Sequence, residues 1–185
     1  MKYLKPAIVI VLVLIADQFF KIWIKTNMHL GQEIPVFGRW FILHFTENNG
    51  IAFGMEFGGV TGKYILTIFR IIAAALIAWF LYKIIKAGYP TGLNISIALV
   101  FAGAVGNITD SVFYGQIFDY APLLQGRVVD MFYFPIIRGY WPDWMPFFGG
   151  NYFIFFRPVF NISDAAITTG VFSILLFYSK YLKNL

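Results

Sequence analysis

Polar residues are scarce along four stretches of this chain and gather in the segments between them. The first apolar stretch runs from about Pro6 to Ile24 and the second from about Tyr64 to Tyr82. The third lies inside Ala87–Thr109, which contains no charged residue, and the fourth covers roughly Val159 to Tyr181. Each supplies the roughly 20 residues that cross a hydrocarbon core. Backbone groups left unpaired in lipid are costly, so the pattern predicts helices. The predicted fold class is an all-α membrane protein with four transmembrane helices, over about 6–25, 63–83, 92–113 and 159–181. They form a single membrane domain, 1–185, whose outer connections cover about 26–62 and 114–158.

The connections carry their own patterns. "RWFILHFTENNGIAFGMEFGG" in the first has strand-forming residues followed by turn residues, which predicts a small β-rich extracytoplasmic element on the membrane surface. "FYFPIIRGYWPDWMPFFGGNYFIFF" in the second is dense in Trp, Tyr and Phe, which predicts an aromatic loop at the headgroup interface. No internal repeat or low-complexity tract is present.

Composition agrees with a membrane setting. Of 185 residues, 59% are hydrophobic, 21% aromatic and only 12% charged, and the mean hydropathy is +0.73. With no cysteine, disulfides, thiolate nucleophiles and Cys-ligated zinc are excluded. Two histidines, His29 and His44, are too few for a His-rich metal site, so neither metal nor cofactor is expected. The net charge of +5 would suit nucleic acid, but the positions of the charges argue against that partner. Lys2, Lys5, Lys83, Lys86, Lys180 and Lys183 flank the spans on one side without an accompanying acid. That side is predicted to be cytoplasmic, with both termini on it. Glu33, Glu47, Glu56, Asp119 and Asp143 fall in the other connections, which are expected to face outward. A cleaved leader is the alternative for the first span. No small-x-small cleavage site follows Ala16, and Asp17–Lys25 continues a helical pattern, so a retained helix is expected.

Ionisable groups inside spans are functional candidates by default. Asp17 and Lys21 are four apart on one helix face, the spacing of a self-neutralising ion pair. Arg70 stands near the outer end of the second span, suited to snorkelling or to pairing with an acid. Gly103, Gly106, Asn107 and Asp110 share one face of the third helix, where small residues let another helix approach closely. Asp130 is the only acid in "RVVDMFYF". Asp164, three residues after Asn161, has the spacing of a helix cap. No Walker or dinucleotide loop and no convincing Ser–His arrangement occurs, and a Ser–Lys dyad lacks a motif. Two neighbouring carboxylates cannot both ionise easily. One keeps a proton while the other activates water, which hydrolyses a peptide bond without a cofactor. Asp110, Asp130 and Asp164 are all candidates for that pair.

Five motifs, in order, resemble bacterial lipoprotein signal peptidase (signal peptidase II), an aspartic peptidase family of the membrane. They are "DQFFK" at 17–21, "NNGIAFG" at 48–54, "GAVGNITD" at 103–110, "VVDMF" at 128–132 and "FNISDAAI" at 160–167. The second matches the family element at Asn48, Gly50, Ala52 and Phe53. The resemblance implies that Asp130 and Asp164 are catalytic. It implies substrate-binding or supporting roles for Asn48, Gly50, Asn107, Asp110, Asn161, Asp17 and Lys21. The implied substrate is a prolipoprotein whose cysteine carries a diacylglyceryl group, cut just before that cysteine. The implied setting is the bacterial inner membrane with the site at the extracytoplasmic face. Membrane lipids are the other partners, and the protein is expected to be a monomer. Three features depart from the family. Ser111 stands where the family usually has Arg, Ser163 stands where it has Ala, and the stretch from Asp130 to Asp164 is longer. A small channel or proton-coupled transporter, or an inactive homologue serving as an assembly factor, would be the rival readings.

Overall fold

The computed structural model describes residues 2–49 and 59–182. Among these residues four helices are long and apolar enough to cross a membrane. The first is α1, Leu4–Asn27, and the second is α2, Gly59–Lys86. The third begins as α3, Thr91–Thr109, widens into a π turn over Asp110–Tyr114 and ends with α4, Gly115–Ile117. The fourth comprises α5, Ile162–Ser173, a π-helical segment over Ile174–Tyr178, and α6, Ser179–Leu182. The chain is not all-α, which corrects the sequence expectation. Among the described residues six strands also form: β1 Glu33–Phe37, β2 Phe41–Asn48, β3 Val128–Tyr133, β4 Ile137–Tyr140, β5 Tyr152–Phe155 and β6 Val159–Phe160.

The bundle inverts the amphipathicity of a soluble protein. In α1 the buried positions are Pro6, Asp17, Lys21 and Ile24, while Leu12, Ile15 and Phe19 point outward. Lipid accepts the apolar face, so the polar groups are what the neighbouring helices must cover. Helix α3 is central, packing against α1, α2 and α5. Small residues make this possible. A Cβ on Gly103 would lie 2.3 Å from the Ser163 carbonyl oxygen, and one on Gly170 would lie 2.5 Å from that of Ser96. The two contacts are seven residues apart on each helix, so α3 and α5 touch backbone to backbone over two turns.

One end of the bundle gathers the amino terminus, the α2–α3 turn and the end of the fourth span. Tyr3 stacks on Tyr82, and Tyr89 meets Tyr181 edge-on. Leu81, Ile84, Leu93 and Ile97 form the core there. The opposite end carries a four-stranded antiparallel sheet, ordered β1-β2-β3-β6. It draws two strands from each long connection. The first connection forms strands as expected. The second connection contributes "VVDMFY" as a central strand. Its residues are nearly all buried, so the run lacks the alternation that marks a half-exposed strand. Ile24 of α1 and Met28, the residue just past its end, pack under the sheet against Phe45, Tyr114, Val129 and Met131. An ion pair between Lys25 and Glu47 fastens α1 to β2, and the Lys25 ammonium lies 4.5 Å from the centre of the Tyr120 ring.

Between β3 and β6 the chain leaves as the β4–β5 hairpin, with Tyr140 opposite Tyr152. Trp141 stacks on Phe153 at 4.5 Å, while Trp144 and Phe147 at the tip are 81% and 96% exposed.

Overpacking a helix contact costs about 1–3 kcal/mol. Gly103→Ala and Gly170→Ala are therefore expected to lower the melting temperature of the detergent-solubilised protein. An unchanged melt for both would mean that α3 and α5 do not meet this closely.

Candidate active site

Strand β3 runs into the space above the Thr109 end of α3 and brings Asp130 with it. Its register with β2 sets Asp130 opposite Thr46, and Val128 opposite Asn48. Its register with β6 sets Phe132 opposite Phe160. The next residue after β6 is Asn161, so the pairing carries the start of α5 to Asp130. Asn161 is the N-cap of α5. Its Oδ1 accepts the Asp164 backbone N–H at 2.9 Å, and Asp164 Oδ2 accepts the Asn161 backbone N–H at 3.3 Å, a complete capping box. The spacing pointed to a cap at Asp164; the N-cap is Asn161, with Asp164 as its N3 partner, and the box leaves the Asn161 amide nitrogen free for other work.

That nitrogen donates to Asp130 Oδ1 at 2.6 Å, to the Val129 carbonyl at 3.2 Å and to Asn107 Oδ1 at 3.1 Å. Asn107 in turn donates from Nδ2 to Asp164 Oδ1 at 2.8 Å. Asn48 on β2 donates to Asp130 Oδ2. Asp130 and Asp164 are thus joined through Asn161 directly and through Asn107. Asp130 is buried and Asp164 is partly exposed. Burial first, and then the charge of Asp164, push the Asp130 carboxyl up to about 7; hydrogen bonds from Asn48 and Asn161 pull the other way and are outweighed.

Behind these two acids lies a second polar layer. Lys21, fully buried, donates to Asp17 Oδ2 at 2.9 Å, to Asp110 Oδ2 at 2.8 Å and to Asn107 Oδ1 at 2.8 Å. Three ammonium hydrogens meet three acceptors. The sequence expectation of a self-contained Asp17–Lys21 pair captured only one of these. Each of the two supporting acids reaches one step further. Asp17 Oδ1 accepts the backbone N–H of Ser163, the residue before Asp164, at 2.9 Å. Asp110 Oδ2 accepts the backbone N–H of Val129, the residue before Asp130, at 3.2 Å. Asp110 therefore serves β3 from behind and does not join the Asp130–Asp164 pair. Gly106 makes room for this layer, since a Cβ there would lie 2.0 Å from Ser163 Oγ and 2.7 Å from Asp17 Oδ2.

Two more polar residues border this layer. Gln18 donates from Nε2 to Asp17 Oδ2 at 3.1 Å and to Asp110 Oδ1 at 3.0 Å, and its Oε1 accepts the Tyr114 hydroxyl at 3.0 Å. Gln18 sits inside "DQFFK", and a polar residue there among aromatics was the available signal. Arg70 places its guanidinium beside Ser111, with Nη1 3.5 Å from the hydroxyl. Gly50, Ala52 and Phe53 lie outside the described residues, as do Glu56 and Lys183.

The comparisons with known proteins agree with one another. A family model described as signal peptidase (SPase) II matches residues 9–180. A lipoprotein signal peptidase of Porphyromonas gingivalis is 44% identical over 94% of this chain and 82% of its own length. One from Amoebophilus asiaticus is 39% identical over 89% of this chain and 73% of its own. A solved structure described as a bacterial membrane enzyme superposes with a TM-score of 0.63 at 30% identity, covering 97% of this chain and 90% of the other.

Removing one member of a buried ion cluster leaves its partners uncompensated, at a cost of about 3–5 kcal/mol. Lys21→Met is expected to destabilise by that order in chemical unfolding. Lys21→Met with Asp110→Asn is expected to recover part of the loss. Additive effects of the two substitutions would show that Lys21 and Asp110 are not coupled.

Proposed function

The chain belongs to the signal peptidase II family, and from that premise we propose that Asp130 and Asp164 are its catalytic pair. The protein is an aspartic endopeptidase that removes signal peptides from prolipoproteins, and its four spans and its family fit a bacterial inner-membrane protein. The observation that carries the proposal is Asn161, whose side chain bonds Asp130 while it caps the backbone of Asp164.

The Asp130 proton stays in place up to about neutral pH, which makes Asp130 the acid and Asp164 the base. Asp164 draws a proton from water as the water oxygen attacks the scissile carbonyl carbon. Asp130 gives its proton to the carbonyl oxygen. The tetrahedral intermediate then returns a proton to Asp130 as the C–N bond breaks, and the departing amine takes the proton held by Asp164. Asn107 and Asn161 hold the pair in register, while Asp17, Lys21 and Asp110 hold the backbone behind it. Asn48 orients Asp130, and Gly50, outside the described residues, keeps the substrate-binding role that the family motif implies.

The substrate is a prolipoprotein whose cysteine carries a diacylglyceryl group, cut just before that cysteine. The lysine-rich end of the bundle is cytoplasmic, by its Lys2, Lys83, Lys86 and Lys180 without acids. The site then faces the extracytoplasmic side, where the lipid-bearing cysteine lies at the membrane–water boundary. The chain acts as a single membrane domain and a monomer, with substrate and lipids and not nucleic acid as partners. The exposed aromatic tip of the β4–β5 hairpin dips into the outer headgroup layer. A channel or transporter is not favoured, because Asp17, Asp110, Asp130 and Asp164 gather at one end of the bundle instead of threading it.

Asp130→Asn and Asp164→Asn are each expected to abolish cleavage of a lipidated pre-peptide by purified enzyme, and near-normal turnover in either rules out the pair. The sign of the pH dependence follows from Asp130. Its folded value of about 7 lies above the unfolded carboxylate range, so between about pH 4 and 7 the unfolded chain ionises this group while the folded protein keeps its proton, and stability falls across that window. Above pH 7 kcat/KM is expected to fall. Asp130→Asn is expected to melt no lower than wild type at pH 8. For the hairpin, brominated lipids are expected to quench the fluorescence that Trp144→Phe removes. Unquenched Trp144 emission would place the tip in water.

A further inference from the structure

Arg70 is the only charged residue of α2 between Lys63 and Lys83. A guanidinium inside a span is costly and persists where it has a task. Its position suggests one. Arg70 stands at a groove of about 180 Å³ between α2, α3 and α5. Phe69, Ile108 and Ile167 wall this groove and Ala73 and Ala104 give it width. Asn107 lies at the same groove, and it is the residue that bonds Asp164 at 2.8 Å. The charge of Asp164 also acts on Arg70. Among the spans α2 packs chiefly against α3, so the groove runs between two helices that do not close on each other. A segment lying there is apolar along most of its length and meets a fixed cation whose field reaches Asp164.

Position 111 sharpens this reading. Ser111 is fully buried, and its hydroxyl accepts from Arg70 Nη1 at 3.5 Å. The chain lacks the arginine that the family resemblance leads one to expect at 111, yet a guanidinium arrives there from another helix.

We propose that Arg70 is a substrate-binding residue, which hydrogen-bonds a main-chain carbonyl of the signal peptide lying in the groove between α2 and α5 and supplies from α2 the cation that Ser111 does not. The proposal rests on the peptidase reading and adds to it a specific contact. An extended peptide in an apolar groove carries carbonyls that need donors. The guanidinium offers several donors in a rigid plane and stays charged. Because Arg70 does not touch the atoms that exchange protons, its loss should weaken binding more than it slows the chemical step.

The test uses purified full-length protein and a synthetic lipidated pre-peptide in phospholipid-free detergent. Four proteins are compared: wild type, Arg70→Leu, Ser111→Arg, and Arg70→Leu combined with Ser111→Arg. A hydrogen bond from a charged donor is worth about tenfold in binding. Arg70→Leu is therefore expected to raise KM about tenfold or more while kcat stays within about threefold. The doubly substituted protein, where the space left by Arg70 can take the new side chain, is expected to recover most of that KM. Arg70→Gln is measured alongside, so that poor folding of the leucine variant does not end the test. An unchanged KM in a folded Arg70 variant overturns the proposal. So does a rise in KM that the second arginine does not reverse. A KM effect that appears only when phospholipid is added also overturns it, assigning Arg70 to a lipid headgroup instead. Wild-type turnover and its loss in Asp130→Asn report separately on the peptidase reading.

Discussion

One buried ammonium group organises this end of the molecule. Lys21 meets Asp17, Asp110 and Asn107 with its three donors, and every one of those partners goes on to hold a part of the site. Asp17 fixes the backbone before Asp164, Asp110 fixes the backbone before Asp130, and Asn107 bonds Asp164 itself. The lysine belongs to the first span, the acids it positions to α1 and the third span, and the two candidate catalytic groups to a strand and to the fourth span. An isolated lysine in that position would be very unfavourable, and two carboxylates without it would repel. Burial makes the arrangement all-or-nothing, because each missing partner leaves a charge with no water to turn to.

Small residues make such a cluster possible. Gly106 lets Ser163 and Asp17 approach the same turn of α3, and Gly103 and Gly170 let α5 lie against α3 along its length. The sheet then completes the site from above. Its strands come from both long connections, so Asp130 and Asn161 are brought together by β3–β6 pairing and not by helix packing alone. Bundle and sheet each place one acid, and Asn161 lies at their junction. The same polar groups that would be destabilising in lipid face inward here, and the lipid-facing surface stays apolar.

Much of this was readable along the chain, and the rest was not for physical reasons. Long apolar runs disclosed the spans because lipid demands an unbroken helix of nearly fixed length. The Asn161–Asp164 spacing disclosed the cap because that interaction is local. The sheet was only half visible. Val128–Tyr133 is buried on both faces, and β6 has two residues, so neither shows the alternation that betrays a strand. Asp17 and Lys21 could be paired from helical spacing, but Asp110 could be added only by knowing how α1 and α3 are rotated against each other. Arg70 is the same kind of case: its depth in α2 was evident, whereas its meeting with Ser111 depends on which face of α2 turns to α3. Interactions within a helix are written in its spacing, and those between helices are set by packing.

The central claim is that Asp130 and Asp164 share one proton, and that it rests on Asp130 near neutral pH. Infrared difference spectroscopy between wild type and Asp130→Asn, across a pH series, observes that proton directly. The expected result is a protonated-carboxyl C=O band, present in wild type below pH 7, fading as the pH rises through about 7 and missing from the variant. A wild-type spectrum with only carboxylate bands from Asp130 at pH 6 would contradict it.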